Sequence, residues 1–200
     1  MEKMREFSKL VERTVDSSEV FAGEMLHVYR DNIELPNGKM ATREYVKHVG
    51  AVAVVALTEN GSVVMEKQYR YPARRVVTEI PAGKLDSLEE DRLEAAKREL
   101  REETGIEADE WVELGEYHPA SAYCNEKIWM FMARGLRKGE QDLDEDEFLN
   151  VVEVPLEELV EQVLDGTIKD GKTQVALLTA EGVEVVDGKV DLGKYGMRFD

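Results

Sequence analysis

The chain has 200 residues, a formal net charge of −17 and 42% hydrophobic residues, enough for one domain with a sizeable core or one domain plus an appendage. That acidic balance argues against a nucleic-acid-binding surface, which needs clustered Lys and Arg. No run of eighteen apolar residues occurs and none follows Met1-Glu2-Lys3-Met4-Arg5, so neither a membrane span nor a signal peptide is expected, and the expected location is the cytoplasm.

Residues 1–47 read as a small N-terminal antiparallel β subdomain, with strands at 19–30 and 39–47 and a turn at Leu35-Pro36-Asn37-Gly38. A hairpin of this size buries too little surface to stand alone. It is expected to pack on the main domain or on another subunit.

The main domain, 48–182, opens with Gly50-Ala51-Val52-Ala53-Val54-Val55-Ala56-Leu57, a continuous apolar run that suggests a strand buried on both faces. Asn60-Gly61 then predicts a hairpin turn into a strand at 62–69. Residues 78–80 lead into Pro81-Ala82-Gly83 and a helix with Asp91 as N-cap and Gly105 as its stop. Strands at 111–116, 128–133 and 151–154 follow, with helices at 156–164 and 172–178. This alternation predicts an α+β or mixed α/β fold, not a doubly wound parallel sheet. Residues 183–200 form a tail with a hairpin turn expected at Asp187-Gly188. The lone Cys124 cannot form an internal disulfide, and His27, His48 and His118 lack zinc-site spacing.

In the first helix Glu99, Glu102 and Glu103 fall at i, i+3 and i+4, which places three carboxylates on one flank beside the apolar stripe Leu93, Ala96, Leu100. Glu94, Lys97 and Arg101 form the solvated face. Like charges this close repel unless a cation sits among them, and oxygen donors suit a hard divalent ion such as Mg²⁺. The plain alternative is a Glu-rich helix facing solvent.

The segment GKLDSLEEDRLEAAKRELREETGI, residues 83–106, resembles the Nudix box: Gly, a short loop, Glu, seven residues, then Arg-Glu-apolar-x-Glu-Glu-x-Gly-apolar. Six residues, one more than the pattern, separate Gly83 from Glu90, which leaves open whether Glu89 or Glu90 takes the first glutamate's part. The flanks Gln68-Tyr69-Arg70-Tyr71-Pro72 and Glu79-Ile80-Pro81-Ala82-Gly83-Lys84-Leu85-Asp86 resemble the ADP-ribose pyrophosphatases and related nucleotide-sugar hydrolases.

That resemblance implies an α+β fold of the mixed-sheet α/β/α sandwich type, and a homodimer built by the N-terminal strands. It implies Mg²⁺, or Mn²⁺ in its place, held by Glu99, Glu103, the Ala82 carbonyl and Glu102, the last as ligand or as orienter of a bridging water. Arg98 would hold a catalytic glutamate in place. The general base would come from the loop 139–150, with Glu145 first choice and Glu147 second. Arg43, Arg70, Glu79 and Glu126 are the implied substrate contacts. The implied reaction is cleavage of ADP-ribose to AMP and ribose 5-phosphate. Another nucleoside diphosphate sugar, such as GDP-mannose or UDP-glucose, and a non-catalytic nucleotide-sensing module are the alternatives. The family segment of the type Pro-Gly-Phe-Cys-Asp-Glu is here Ser121-Ala122-Tyr123-Cys124-Asn125-Glu126, so the loop loses its Pro-Gly turn.

Overall fold

A computed structural model describes residues 9–143 and 147–182, with the backbone of Glu184–Val186 and Lys189–Asp191. The chain divides into two compact units, Met1–His48 with Ala120–Glu126, and Val49–Pro119 with Lys127–Asp200.

In the first unit β1 (Arg13–Ala22), β2 (His27–Glu34) and β3 (Met40–Lys47) form an antiparallel sheet in that order. The strand read over 19–30 is therefore two strands. Gly23 N–H donates to the Leu26 carbonyl at 2.8 Å and turns the chain between them. The turn expected at 35–38 is present, with Gly38 at φ 80° and its N–H on the Leu35 carbonyl. Tyr29 and Tyr45, opposite each other on β2 and β3, stack with centroids 5.9 Å apart. The segment that lacks the Pro-Gly turn belongs to this unit. Tyr123 and Cys124 both donate N–H groups to the Ala120 carbonyl, and Cys124 bridges Val46 of β3.

The second unit is built on the apolar run. β4 (Ala51–Ala56) is buried along its whole length and pairs with β7 (Ala82–Lys84) antiparallel and β9 (Ile128–Lys138) parallel, while β8 (Ile106–Tyr117) closes the sheet in the order β7-β4-β9-β8. A second sheet has the order β10-β5-β6, with β5 (Ser62–Arg70) between β6 (Arg75–Glu79) and β10 (Leu149–Pro155). The Asn60-Gly61 turn forms, with Thr58 N–H on the Ser62 carbonyl, but β4 and β5 meet only at a Leu57–Val63 bridge and then part into different sheets. Both edges of β4 are already taken, so no ladder with β5 is available.

Among the described residues three α-helices belong to this unit: α1 (Arg92–Thr104), α2 (Leu156–Leu164) and α3 (Gly171–Glu181). Alternate residues of β4 serve opposite layers. Ala51, Ala53 and Val55 pack in one core with Leu159 and Val163 of α2 and Ala176 and Leu177 of α3. Val52, Val54 and Ala56 pack in another with Ala95, Ala96 and Leu100 of α1. This is an α/β/α arrangement around a mixed sheet, as the strand period of two requires of a strand apolar on both faces. In the tail β11 (Glu184–Val186) and β12 (Lys189–Asp191) pair antiparallel. The turn expected at Asp187-Gly188 lies outside the described residues. Among the described residues no helix is long and apolar enough to cross a membrane.

Candidate active site

Helix α1 begins and ends where its sequence dictates. The Asp91 carboxylate accepts from the N–H groups of Leu93 and Glu94, each at 3.0 Å, and Gly105 closes the last turn at φ 70° with its N–H on the Arg101 carbonyl. The stripe Ala96, Leu100 continues one turn on to Glu103, which is only 5% exposed. Burial of the apolar stripe thus carries a carboxylate into the protein. Glu103 Oε2 accepts from the Ala82 N–H at 2.9 Å, and the Glu99 carboxylate lies against Gly83, where an added Cβ would fall inside the carboxyl group. The helix and β7 therefore bring Glu99, Glu103 and Ala82 together.

Arg98 ties the cluster's outer side. Its Nη1 donates to Glu99 Oε1 at 2.8 Å and Glu102 Oε2 at 3.1 Å, and its Nε and Nη2 each donate to Glu90 Oε1 at 3.2 Å. Glu90 also receives the Asp86 N–H at 2.6 Å, whereas Glu89 is exposed. The geometry gives the first-glutamate position to Glu90, and the extra residue is absorbed in the loop. Glu102 faces outward, shared between Arg98 and Arg101.

Burial raises the Glu99 carboxyl from 4.5 to about 7, against the pull of Arg98 and with Glu102 and Glu147 adding to the rise. Glu103 is pushed up further by burial, then by Glu66, Glu99 and Glu147, and the Ala82 N–H offsets only part. Burial also raises Glu66, with Glu79 and Glu147 next, against Lys172 and Arg70. Against its own burial, Arg98 is held more firmly protonated by Glu99, Glu102 and Glu90. The cluster is thus short of positive charge on its inner side.

Among the described residues no three His, Cys, Asp or Glu side chains already converge as a ligand set, since Glu99 and Glu102 each turn an oxygen to Arg98. The donors nonetheless fit a hard divalent ion: they are oxygens only, they repel one another, and Glu66 Oε1 is buried without a hydrogen-bond partner.

Of the two expected bases, Glu145 lies outside the described residues. Glu147 is described; its Oε1 accepts from Gln68 Nε2 at 3.4 Å, and its charge acts on Glu66, Glu99 and Glu103. Arg70 is brought close, its Nε donating to Glu79 Oε1 at 2.7 Å. Glu79 was expected to receive a base edge, but it is 2% exposed and its other oxygen is taken by Lys172. It is a brace for two cations, and nothing of its carboxylate is left to face a ligand. Arg43 and Glu126 lie in the other unit. There Arg43 holds Glu12, its Nε at 2.9 Å, and Glu126 stands 3.7 Å from His48.

Glu66 and Lys172 escape the sequence reading. The available signal was a carboxylate directly after the buried run Val63-Val64-Met65, a place where Glu is rarely left unpaired. Lys172 is anchored by Asp170 at 3.1 Å, and Asp170 in turn caps α3 through the Thr173 N–H at 3.0 Å. Asp170 is held below its usual range, burial being outweighed by Lys172 and Thr173.

Residues 47–176 match the profile described as NUDIX domain. The chain is 41% identical over 170 residues to an ADP-ribose pyrophosphatase of Bacillus subtilis (strain 168), covering 84% of this chain and 91% of that one. It is 40% identical over 168 residues to a methanol dehydrogenase activator of Bacillus methanolicus, covering 83% and 90%. It is 31% identical over 170 residues to a GDP-mannose pyrophosphatase of Yersinia pestis (strain Pestoides F), covering 78% and 84%. Among solved structures, an ADP compounds hydrolase superposes with a TM-score of 0.75 at 22% identity, covering 86% of this chain and 94% of that one, a likeness of fold.

Proposed function

The chain belongs to the Nudix family, and on that premise we propose that it is a Mg²⁺-dependent pyrophosphohydrolase that splits ADP-ribose into AMP and ribose 5-phosphate. The observation that carries the reading is the meeting of Glu99 and Glu103 with Ala82 in a buried, mutually repelling cluster. Glu99, Glu103 and the Ala82 carbonyl would hold the cation, with Mn²⁺ able to replace Mg²⁺ and Glu102 on the outer side. When bound, such an ion neutralises diphosphate charge and lowers the pKa of a water. Arg98 keeps Glu99, Glu102 and Glu90 in place. The general base comes from the loop 139–150, with Glu145 first choice and Glu147, whose charge acts on Glu99 and Glu103, second. Arg70, whose side chain is 43% exposed with one edge on Glu79, offers its remaining donors to the diphosphate.

A second reading keeps the mechanism and changes the sugar. The GDP-mannose pyrophosphatase relative and the altered Ser121-Ala122 turn favour it over the non-catalytic module, because all three helix carboxylates are present. Chromatography of products after incubation with Mg²⁺ and ADP-ribose, GDP-mannose or UDP-glucose decides. AMP released fastest from ADP-ribose supports the proposal; preference for another sugar reassigns the substrate, and no turnover of any of them contradicts it.

A cytoplasmic location and a homodimer belong to the same proposal. The lone Cys124 suits a compartment that does not call for disulfides. The outer strand β1 is exposed at all ten residues, Val15, Val20 and Phe21 included, and such an edge is ordinarily covered. Light scattering of the full chain tests this: a species of twice 22.7 kDa is expected, and a 22.7 kDa species contradicts it.

A further inference from the structure

Glu66 is a carboxylate for which neither the box nor its flanks provide a part. On β5 it shares a face with Val64 before it and Gln68 after it, since side chains alternate along a strand. Val64 packs in the core that contains Ala95, Ala96 and Leu100 of α1, so this face of β5 looks toward α1. Gln68, at the other end of the same face, reaches Glu147. Glu66 stands between these two landmarks, on the side where α1 delivers Glu103.

Directly across the antiparallel ladder from Glu66 is Glu79, and each is 2% exposed. Like charges facing each other across a ladder are destabilising. The two carboxylates are treated differently. Glu79 has Arg70 on one oxygen and Lys172 on the other. Glu66 has an Oε1 that is buried with no hydrogen-bond partner among the described residues. Arg70 and Lys172 contribute to the field at Glu66, yet the contacts they make are with Glu79 and Asp170. Of the charges acting on Glu103, that of Glu66 acts most strongly, ahead of Glu99 and Glu147. A buried carboxyl oxygen of this kind calls for a proton, a cation or an ordered water.

Resting on the proposed metal-dependent site, we infer that Glu66 is a further cation-holding carboxylate, taking a divalent ion between itself and Glu103, directly or through one water, before substrate arrives. A single Mg²⁺ usually takes one or two carboxylates and fills its shell with waters and substrate phosphates. Glu66, Glu99, Glu103 and Glu147 together exceed that need. The pair Glu66 and Glu103 accordingly defines a site that does not wait for a diphosphate to complete it, while Glu99 and the Ala82 carbonyl, sharing Glu103 with that site, remain for an ion held together with substrate.

Mn²⁺ binding to the substrate-free, full-length protein tests this, read from the loss of the free-ion electron paramagnetic resonance signal. Glu66→Gln, close in shape, and Glu66→Val, which removes the buried charge, are compared with wild type and with Glu103→Gln. The expected result is uptake by the wild type and at least about tenfold weaker binding at one site in both Glu66 variants. In chelator Glu66→Val should melt higher than wild type, and Mn²⁺ should raise its melting temperature less. Wild-type Mn²⁺ affinity in both Glu66 variants overturns the inference and points to a buried water at Oε1. If the wild type binds Mn²⁺ and only Glu103→Gln loses it, the inference fails while the metal-dependent reading stands. If the wild type takes up no Mn²⁺, both fall.

Discussion

The Glu99 carboxylate rests on Gly83, close enough that a Cβ at that glycine would occupy the space of the carboxyl group. The glycine that opens the box is needed there because the helix delivers a carboxylate onto β7, and Gly83 has no positive φ to account for it otherwise. Gly83→Ala should therefore leave the sheet intact and displace Glu99. A shift of about 1 Å in a catalytic group costs on the order of 10²-fold, so kcat is expected to fall by about that factor with an unchanged circular dichroism spectrum. Retention of wild-type kcat would mean that the place of Glu99 does not matter.

Arg98 gathers three glutamates through a planar fork. Lys cannot reproduce that geometry. Arg98→Lys is expected to lose about 10- to 100-fold in kcat, with a higher Mg²⁺ concentration needed for half-maximal rate. A variant with wild-type metal dependence would remove Arg98 from the positioning role.

The pH dependence of the metal-free protein follows from the same cluster. Glu99 is raised from 4.5 to about 7, and Glu66 and Glu103 are also raised. The native state thus binds more protons than the unfolded state across that window, and stability falls as pH rises through it. In chelator the melting temperature should be higher near pH 5.5 than near pH 8, and Mg²⁺ should recover the loss at pH 8. A melting temperature that climbs from pH 5.5 to 8 in chelator would contradict the assignment.

Much of this was readable in advance, and the failures have physical causes. Asp91 and Gly105 bound α1 because capping is local chemistry. The Gly23 turn is not legible because strand-forming apolar residues lie on both sides of it, Val20-Phe21-Ala22 and Met25-Leu26, and no Asn-Gly, Asp-Gly or Pro marks the reversal. The β4–β5 hairpin was expected from a turn that does form, yet pairing is decided by β7 and β9, which come from far along the chain. Glu99 and Glu103 were legible from helical spacing. Glu66 was not, because its partners lie across the ladder and on another helix, where no spacing rule reaches.

Glu79 is buried between the largely buried Lys172 and the half-exposed Arg70, and removing Lys172 from this set is costly. Lys172→Met leaves Glu79 with Arg70 alone, and breaking a buried pair of this kind costs about 3–5 kcal/mol. Urea unfolding should show that loss, with partial recovery in the double variant Lys172→Met with Glu79→Gln. A single variant as stable as wild type would show that the contact contributes nothing.

Glu103 and its neighbours on α1 are proposed to hold the ion on which diphosphate cleavage depends. Turnover of ADP-ribose with Mg²⁺, measured as AMP released by wild type and by Glu103→Gln side by side, tests it most directly. AMP and ribose 5-phosphate are expected from wild type, with a loss of on the order of 10³-fold or more in a Glu103→Gln protein that remains folded. AMP released by Glu103→Gln at the wild-type rate would contradict it.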